Sequence, residues 1–540
     1  MPNNMTCYAD TYRQFQWDIP ATFNFGTDVI DRYAREADGP ALIWANAGGE
    51  EIRLSYSDVS LLTDRFASML AKRGVRRGDR VLIMLPRIPD WQVAMIGCLK
   101  LGAVPIPSVE MLTTKDINYR VRHAQVRAVL TRAEHSAKFV DIMDEVPVKL
   151  SLGHAPGFET YETAMIESDG IFEPVTIAAD DPAVLYYTSG STGEPKGVLH
   201  PSRSLYAWRE AARYWLDLSR DDIIWCTADT GWSKAGTSIL FGPWSVGACT
   251  FFYDGPFDAA ERLRLLARYK ISVYCAPGTE LFRVVDEDVA AHDLSHLRHT
   301  VSAGERLNSC VAEKWQCKTG IQVMESYGQT ETLMTLANYA CTESREGSMG
   351  LPLPGMDVDI IDAQGVRLPP GSEGDIAVRI PNPLLMLGYY KDEARTLESY
   401  VEGPDGRWFV TGDLGLRDSD GYFFYSGRRD DVINSAGYRI GPSEVENALL
   451  THPTVLECAV IGVPHNERGE IVKAFIILRL GATPGEALIR DLQVHVKQMT
   501  APYKYPRAIE FVDTLPKTTT GKIQRSALRA LEKQRLTLEE

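Results

Sequence analysis

The chain has 540 residues, 44% of them apolar and 24% charged, with a formal net charge of −15. That length predicts two to four structural units with room for large cores, and the composition is ordinary for a soluble globular protein. The acidic balance excludes a nucleic-acid binder held by a basic face, but a local positive site for anionic small ligands remains open.

The opening MPNNMTCYADTYRQF has no charged start followed by an apolar run, so no secretory signal is expected. It also lacks the basic, acid-poor character of a transit peptide. No window approaches 18 consecutive apolar residues, and no membrane span is expected. Nine cysteines, an odd number without a CxxC, point to reduced thiols and a cytoplasmic protein rather than a disulfide framework or zinc ribbon. The C-terminal LTLEE carries no peroxisomal or prenylation signal.

In chain order, GDRVLIMLP, DWQVAMIGCLKLG and AVPIPS predict strand, helix, strand: a parallel βαβ unit. DPAVLYY, ISVYCAPG, HTVSAGE and IQVMESYG each predict a strand running into a loop. Ligands of α/β sheets sit beyond the carboxyl ends of strands. Loops 188–197, 276–280, 303–306 and 326–332 are therefore candidates for one site. After about residue 340, Gly- and Pro-broken runs such as GMDVDIIDAQGVRLPPGSEGDIAVRI predict hairpins. From about 430 a third pattern begins. PSEVENALL is a helix with Pro in its first turn, VLECAVIGV and EIVKAFIIL are strands, ALIRDLQVHVKQM is a helix, and AIEFV is a strand. The polar run GRRDD divides the chain into a large domain, 1–429, with a β-rich subdomain from about 340, and a small α+β domain, 430–540.

Two stretches carry chemistry on their face. TSGSTGEPKG, 188–197, is not a Walker loop: Lys196 is followed by Gly197 and a strand-like VLH, so the loop should join two strands as a hairpin. The hydroxyls of Thr188, Ser189, Ser191 and Thr192, the amides of Gly190 and Gly193, and Lys196 can wrap polyphosphate. The plain alternative is a solvated Gly/Ser turn. HDLSHLRH spaces His292, His296 and His299 as on a helix face that could bind metal. With no Glu or Cys partner pattern nearby, a surface helix is the expected reading. No GxSxG elbow supports a serine hydrolase.

YYTSGSTGEPKGV resembles the signature of the adenylate-forming superfamily, which includes acyl-CoA synthetases, luciferases and peptide-synthetase adenylation domains. Five more matching motifs follow in family order: SAGE at 302–305, SYGQTET at 326–332, TGDLG at 411–415, GRRDDVINSAGYRIGPSEVE at 427–446 and PKTTTGKIQR at 516–525. ADTGWSKAG and APYKYPRAIEFVDTLPKTTTGK most resemble acetyl-CoA synthetases and, more closely, medium-chain acyl-CoA synthetases. The resemblance implies an α/β fold: a large N-terminal domain of mixed α/β sheets plus a β-rich subdomain, and a small mobile C-terminal lid. It implies an ATP-dependent ligase that makes acyl-AMP and then, with CoA, a thioester. Loading of a carrier protein in trans is the alternative.

The resemblance also assigns residues. Lys522 would hold the carboxylate and α-phosphate during adenylation, with Thr188 and Lys196 completing the catalytic set. Glu331 would bind Mg²⁺ and Thr330 would touch the α-phosphate. Asp413 would take the ribose hydroxyls, with Arg428 beside it. Gly304, Glu305 and Arg306 would line the adenine side, and Tyr327 would stack on it between Ser326 and the Gly328–Gln329 pair. Arg439 would approach phosphate. Gly437 and Tyr438 would lie by the pantetheine tunnel, with Lys504 and Arg507 contacting CoA. Asp430 would be the hinge. Trp232, Ser233, Lys234, Ala303 and Gly328 would line the acyl pocket. Acetate-specific relatives carry a bulky Trp where this chain has Gly328, so an acyl group larger than acetate is expected, and Gly328→Trp should shift preference toward acetate. PKTTTGK resembles reversibly acetylated sites, which implies a lysine acetyltransferase acting on Lys522.

Overall fold

The computed structural model describes residues 4–168, 170–188, 195–305, 307–431, 433–435, 438–465, 468–500, 502–517 and 522–539. Ser189, Gly190, Ser191, Thr192, Gly193, Arg306 and Gly437 lie outside the described residues, as do the side chains of Asp430, Tyr438 and Arg439.

The predicted βαβ unit forms as strand Arg80–Met84, helix Pro89–Leu101 and strand Val104–Pro107, with the two strands parallel. Pro89 sits in the helix's first turn, where its missing N–H costs nothing. Gly102 closes the helix at φ 71°, a conformation that favours glycine. These strands belong to a five-stranded parallel sheet that continues through Val126–Arg132, Val148–Leu152 and Glu159–Thr160.

A second sheet has a parallel centre. Its strands run in the order Val323–Gln329, His299–Ala303, Val273–Cys275, Ile223–Cys226, Cys249–Asp254 and Pro40–Asn46. Trp225, Phe251, Leu266, Tyr274 and Trp315 pack one core against it. Such strands read as continuous apolar runs because helices cover them. Leu333–Ala337 adds antiparallel to Val323–Gln329. Pro182–Thr188, Lys196–Pro201 and Gly388–Tyr389 make a separate three-stranded antiparallel sheet. All of these elements lie in one compact unit of residues up to 358 together with 378–400.

The second compact unit contains residues 359–377 and 401–540. Its first part is β-rich, with strands Gly406–Arg417 and Phe423–Arg428 paired antiparallel. Its last part is the expected α+β domain. Strands Val455–His465 and Gly469–Leu478 pair antiparallel, and Ala508–Phe511 adds parallel. The period of two sends Val460 to one face, where Val445, Leu449, Leu492 and Val496 of two helices cover it. Ala459 and Ile461 face the other way, onto Leu515 and Leu528. The helix carrying Leu528, Arg525–Glu539, has no strong sequence signal, because charges dominate it and Leu528 is the one buried aliphatic anchor among its described side chains.

The expected histidine helix does not form. A short 3-10 turn covers Val289–Ala291, irregular chain follows, and His299 begins a strand. His299 is buried with Nε2 2.8 Å from the Trp215 carbonyl oxygen. Pairing with the neighbouring strand overrides the helical spacing, so the three histidines share no face. No described helix is long and apolar enough to cross a membrane.

Candidate active site

The strands on either side of the glycine-rich stretch pair antiparallel, as its sequence predicts. Thr188 ends one strand, Lys196 begins the next, and the two are register partners. The Tyr119 hydroxyl donates to the Pro195 carbonyl at 3.0 Å, fixing the loop's last residue. Gly197 is tightly enclosed: a Cβ there would lie 3.2 Å from side-chain atoms of both Leu185 and Tyr390.

Lys196 points its ammonium at the face of Tyr389, 5.2 Å from the ring centre. The same ring donates its hydroxyl to Glu331 Oε1 at 2.8 Å. Burial and the nearby Glu331 charge push the Tyr389 phenol upward, so it stays a proton donor. Tyr389 therefore links the end of the phosphate loop to the carboxylate expected to bind metal. A half-buried carboxylate with one oxygen oriented by an outer hydroxyl fits Mg²⁺ shared with phosphate oxygens.

The Gln329–Thr332 turn is held from three further directions. His200 is fully buried, with Nε2 2.6 Å from the Thr330 carbonyl oxygen. The carbonyl can only accept, so Nε2 carries the proton. Burial holds this imidazole down at about 4, and its Nδ1 has no hydrogen-bond partner among the described residues. Ser233 Oγ lies 3.1 Å from Thr330 Oγ1, and the Met386 N–H donates to the Glu331 carbonyl at 3.0 Å. His200 and Tyr389 escaped the sequence reading. Each lies within a short strand as an ordinary polar or aromatic residue, and nothing local marks its target.

Gly328 is a glycine for a backbone reason. A Cβ there would fall 1.8 Å from the Leu333 carbonyl oxygen, at a bulge between the two paired strands. Leu333 itself sits at φ 56°, a strained value for a leucine. On this backbone a side chain at Gly328, including the tryptophan of acetate-specific relatives, would also have to displace the turn carrying Glu331.

Lys234 does not point to solvent: its Nζ donates to the Ala303 carbonyl at 2.8 Å. Trp232 packs on the core of the five-stranded sheet. Ser326 pairs in register with Ala303, and its buried Oγ lacks a hydrogen-bond partner among the described residues. Gly304, at φ 96°, has nothing near its Cβ direction, so the loop conformation rather than crowding calls for glycine. Glu305 Oε1 accepts the Thr279 N–H at 2.6 Å, which binds two predicted site loops together.

In the other unit, Asp413 is buried and pairs with Arg428 at 3.1 Å, its register partner across two strands. Lys504 is paired with Glu444, and Arg507 donates to the Tyr505 hydroxyl at 2.7 Å. Lys522 is exposed.

The AMP-binding enzyme model matches residues 30–390, and the AMP-binding enzyme C-terminal domain matches residues 444–522. The chain belongs to the AMP-binding enzyme family. This AMP-binding enzyme is 38% identical over 553 residues to acyl-coenzyme A synthetase ACSM3, mitochondrial, of Mus musculus, covering 98% of this chain and 94% of that protein. Among solved structures, the anthranilate CoA ligase AuaEII in complex with anthranoyl-AMP superposes at TM-score 0.85 with 29% identity, covering 95% of this chain and 98% of that one. An acyl-CoA synthetase of Brucella canis matches at TM-score 0.75 and 32% identity, over 98% of this chain and 100% of that one. The AMP-binding enzyme is an acyl-CoA synthetase, a ligase using ATP, CoA and a small carboxylic acid.

Proposed function

We propose that this acyl-CoA synthetase is of the medium-chain type and activates an acid larger than acetate in two half-reactions. In the first, a carboxylate oxygen attacks the α-phosphorus of ATP, the bond to the diphosphate breaks, and acyl-AMP and pyrophosphate form. In the second, the CoA sulfur attacks the acyl carbon, the bond to AMP breaks, and the thiol proton is lost. Both steps move concentrated negative charge, so positioned cations and donors carry the catalysis.

The chain Lys196–Tyr389–Glu331 is the observation that carries this reading. Lys196 and Thr188 grip the β- and γ-phosphates that leave as pyrophosphate. Glu331 holds Mg²⁺, which when bound neutralises phosphate charge. Thr330, fixed by His200 and Ser233, meets the α-phosphate. Asp413, oriented by Arg428, takes the ribose hydroxyls. Lys522 serves the first half-reaction. Its exposure also makes it accessible to acetylation, which would remove its charge.

Trp232, Ser233, Lys234, Ala303 and Gly328 line the acyl side, for a medium-chain, branched or small cyclic or aromatic acid. An anthranilate CoA ligase that shares this fold supports the aromatic option. Relatives that are CoA synthetases over nearly their full length favour CoA over a carrier protein. All nine cysteines are free thiols, the state a reducing compartment such as the cytoplasm maintains.

The test is pyrophosphate release with CoA across straight-chain, branched and aromatic acids. The best rates are expected with acids larger than propionate, and a preference for acetate would overturn the size assignment. Lys522→Ala should lose acyl-AMP formation yet still convert supplied acyl-AMP to thioester. Equal loss of both steps contradicts the assigned role.

A further inference from the structure

The two neighbours of Asp430 are ion-paired to different elements. Arg429 pairs with Asp375, a buried residue of strand Glu373–Arg379. Asp431 turns to the last helix: its Oδ1 accepts from Arg529 Nη1 at 2.7 Å, and its Oδ2 lies 3.5 Å from Arg525 Nη1. Arg525 is itself forked onto Glu446, with contacts of 2.6 Å to Oε2 and 3.2 Å to Oε1. Glu446 Oε1 also accepts the Val460 N–H at 2.8 Å, which roots the network in the domain's central sheet. Such forks are directional and strong, and breaking a buried one leaves an uncompensated charge. Arg525 and Glu446 expose only 19% and 10% of their side chains, so their pairing is one of these rather than a surface contact.

The same helix begins directly after the segment that carries Lys522. Lys517 bridges Ile523 antiparallel, and the Gln524 N–H donates to the Pro516 carbonyl at 2.8 Å, closing the loop at its base. Lys522 stands at that base, three residues before Arg525.

We propose that Asp431, Arg525 and Arg529 are positioning residues. They lock the residue after the pivot to the base of the Lys522 loop, while Arg429–Asp375 locks the residue before it. A change of backbone angle is thereby confined to Asp430 and transmitted undiminished to Lys522. This rests on the assignment of Asp430 as hinge and Lys522 as the adenylation lysine.

Asp431→Asn keeps size and removes the charge. In the full chain it should slow acyl-AMP formation, read as pyrophosphate release without CoA, by about 10- to 100-fold, as a misplacement of about 1 Å does. Thioester formation from supplied acyl-AMP, measured on the same preparation, should stay within about two-fold, since it does not use Lys522. Arg529→Gln, at a partly exposed position, should give the same split and decides the matter if Asp431→Asn fails to fold. Equal loss of both half-reactions, or loss of neither, overturns the proposal. Lys522→Ala run alongside separates the layers. If it retains acyl-AMP formation, the assignment of Lys522 fails. If it loses that step while both network variants keep it, only the lever fails.

Discussion

Tyr389 donates its hydroxyl to Glu331 at 2.8 Å while its ring face carries the Lys196 ammonium at 5.2 Å. One side chain thus orients a metal-ligand candidate and a candidate phosphate-binding cation. Tyr389→Phe removes the first contact and keeps the second. Loss of an outer partner of a metal ligand typically costs 10–100-fold in affinity. The expected result is a weakening of about 10-fold or more in Mn²⁺ binding with nucleotide, followed by electron paramagnetic resonance. Activity should become dependent on raised Mg²⁺. Unchanged Mn²⁺ binding would show that the hydroxyl does not act on the metal site.

His200 makes a pH prediction. Its folded value of about 4 lies below the usual 6.5, so between these limits the unfolded chain binds the extra proton. Stability from this residue is full above about pH 6.5 and is lost as pH falls toward 4. A gap of that size is worth on the order of 3 kcal/mol. Urea unfolding of wild type and His200→Gln at pH 7 and pH 5 measures it. Gln retains a donor near the Nε2 position and does not titrate, so its stability should fall less on acidification. His200→Gln should also keep more kcat than His200→Ala if the Thr330 contact positions the turn.

Gly328 separates a backbone role from a pocket role. Gly328→Ala forces a Cβ toward the Leu333 carbonyl and should reduce turnover with every acid by a similar factor, about 10-fold or more. A loss confined to bulky acids, with acetate spared, would instead mark the residue as a pocket floor. Rates across a series of acid lengths distinguish the two.

Lys100 tests the core of the large unit. It has no exposed surface and binds Asp31 and Asp64 at 2.6 Å each, with Ser60 O at 3.2 Å. Lys100→Met leaves two carboxylates without their cation. The expected cost is about 3–5 kcal/mol, read from urea midpoints at pH 7. A change under about 1 kcal/mol would mean that solvent compensates the pair.

Much of the site was legible in the chain because its chemistry is local. The hairpin of Thr188–Lys196 follows from glycines between two apolar strands. The βαβ unit follows from a continuous apolar strand giving way to a helical period. The final helix was missed because charges mask its buried Leu528, and His292–His299 misled because spacing alone cannot tell a helix from a loop entering a strand.

Local rules set which segments become strands, which loops can hold phosphate, and which residue types are available for charge transfer. They operate over a few residues, where side-chain period and turn geometry act. The contacts that orient the reactive groups are of another kind. His200 reaches Thr330 across 130 positions and Tyr389 reaches Glu331 across 58. Asp431 meets Arg529 across 98. Such pairings depend on sheet order and on burial that removes water from competition, so they exist only once distant segments have packed.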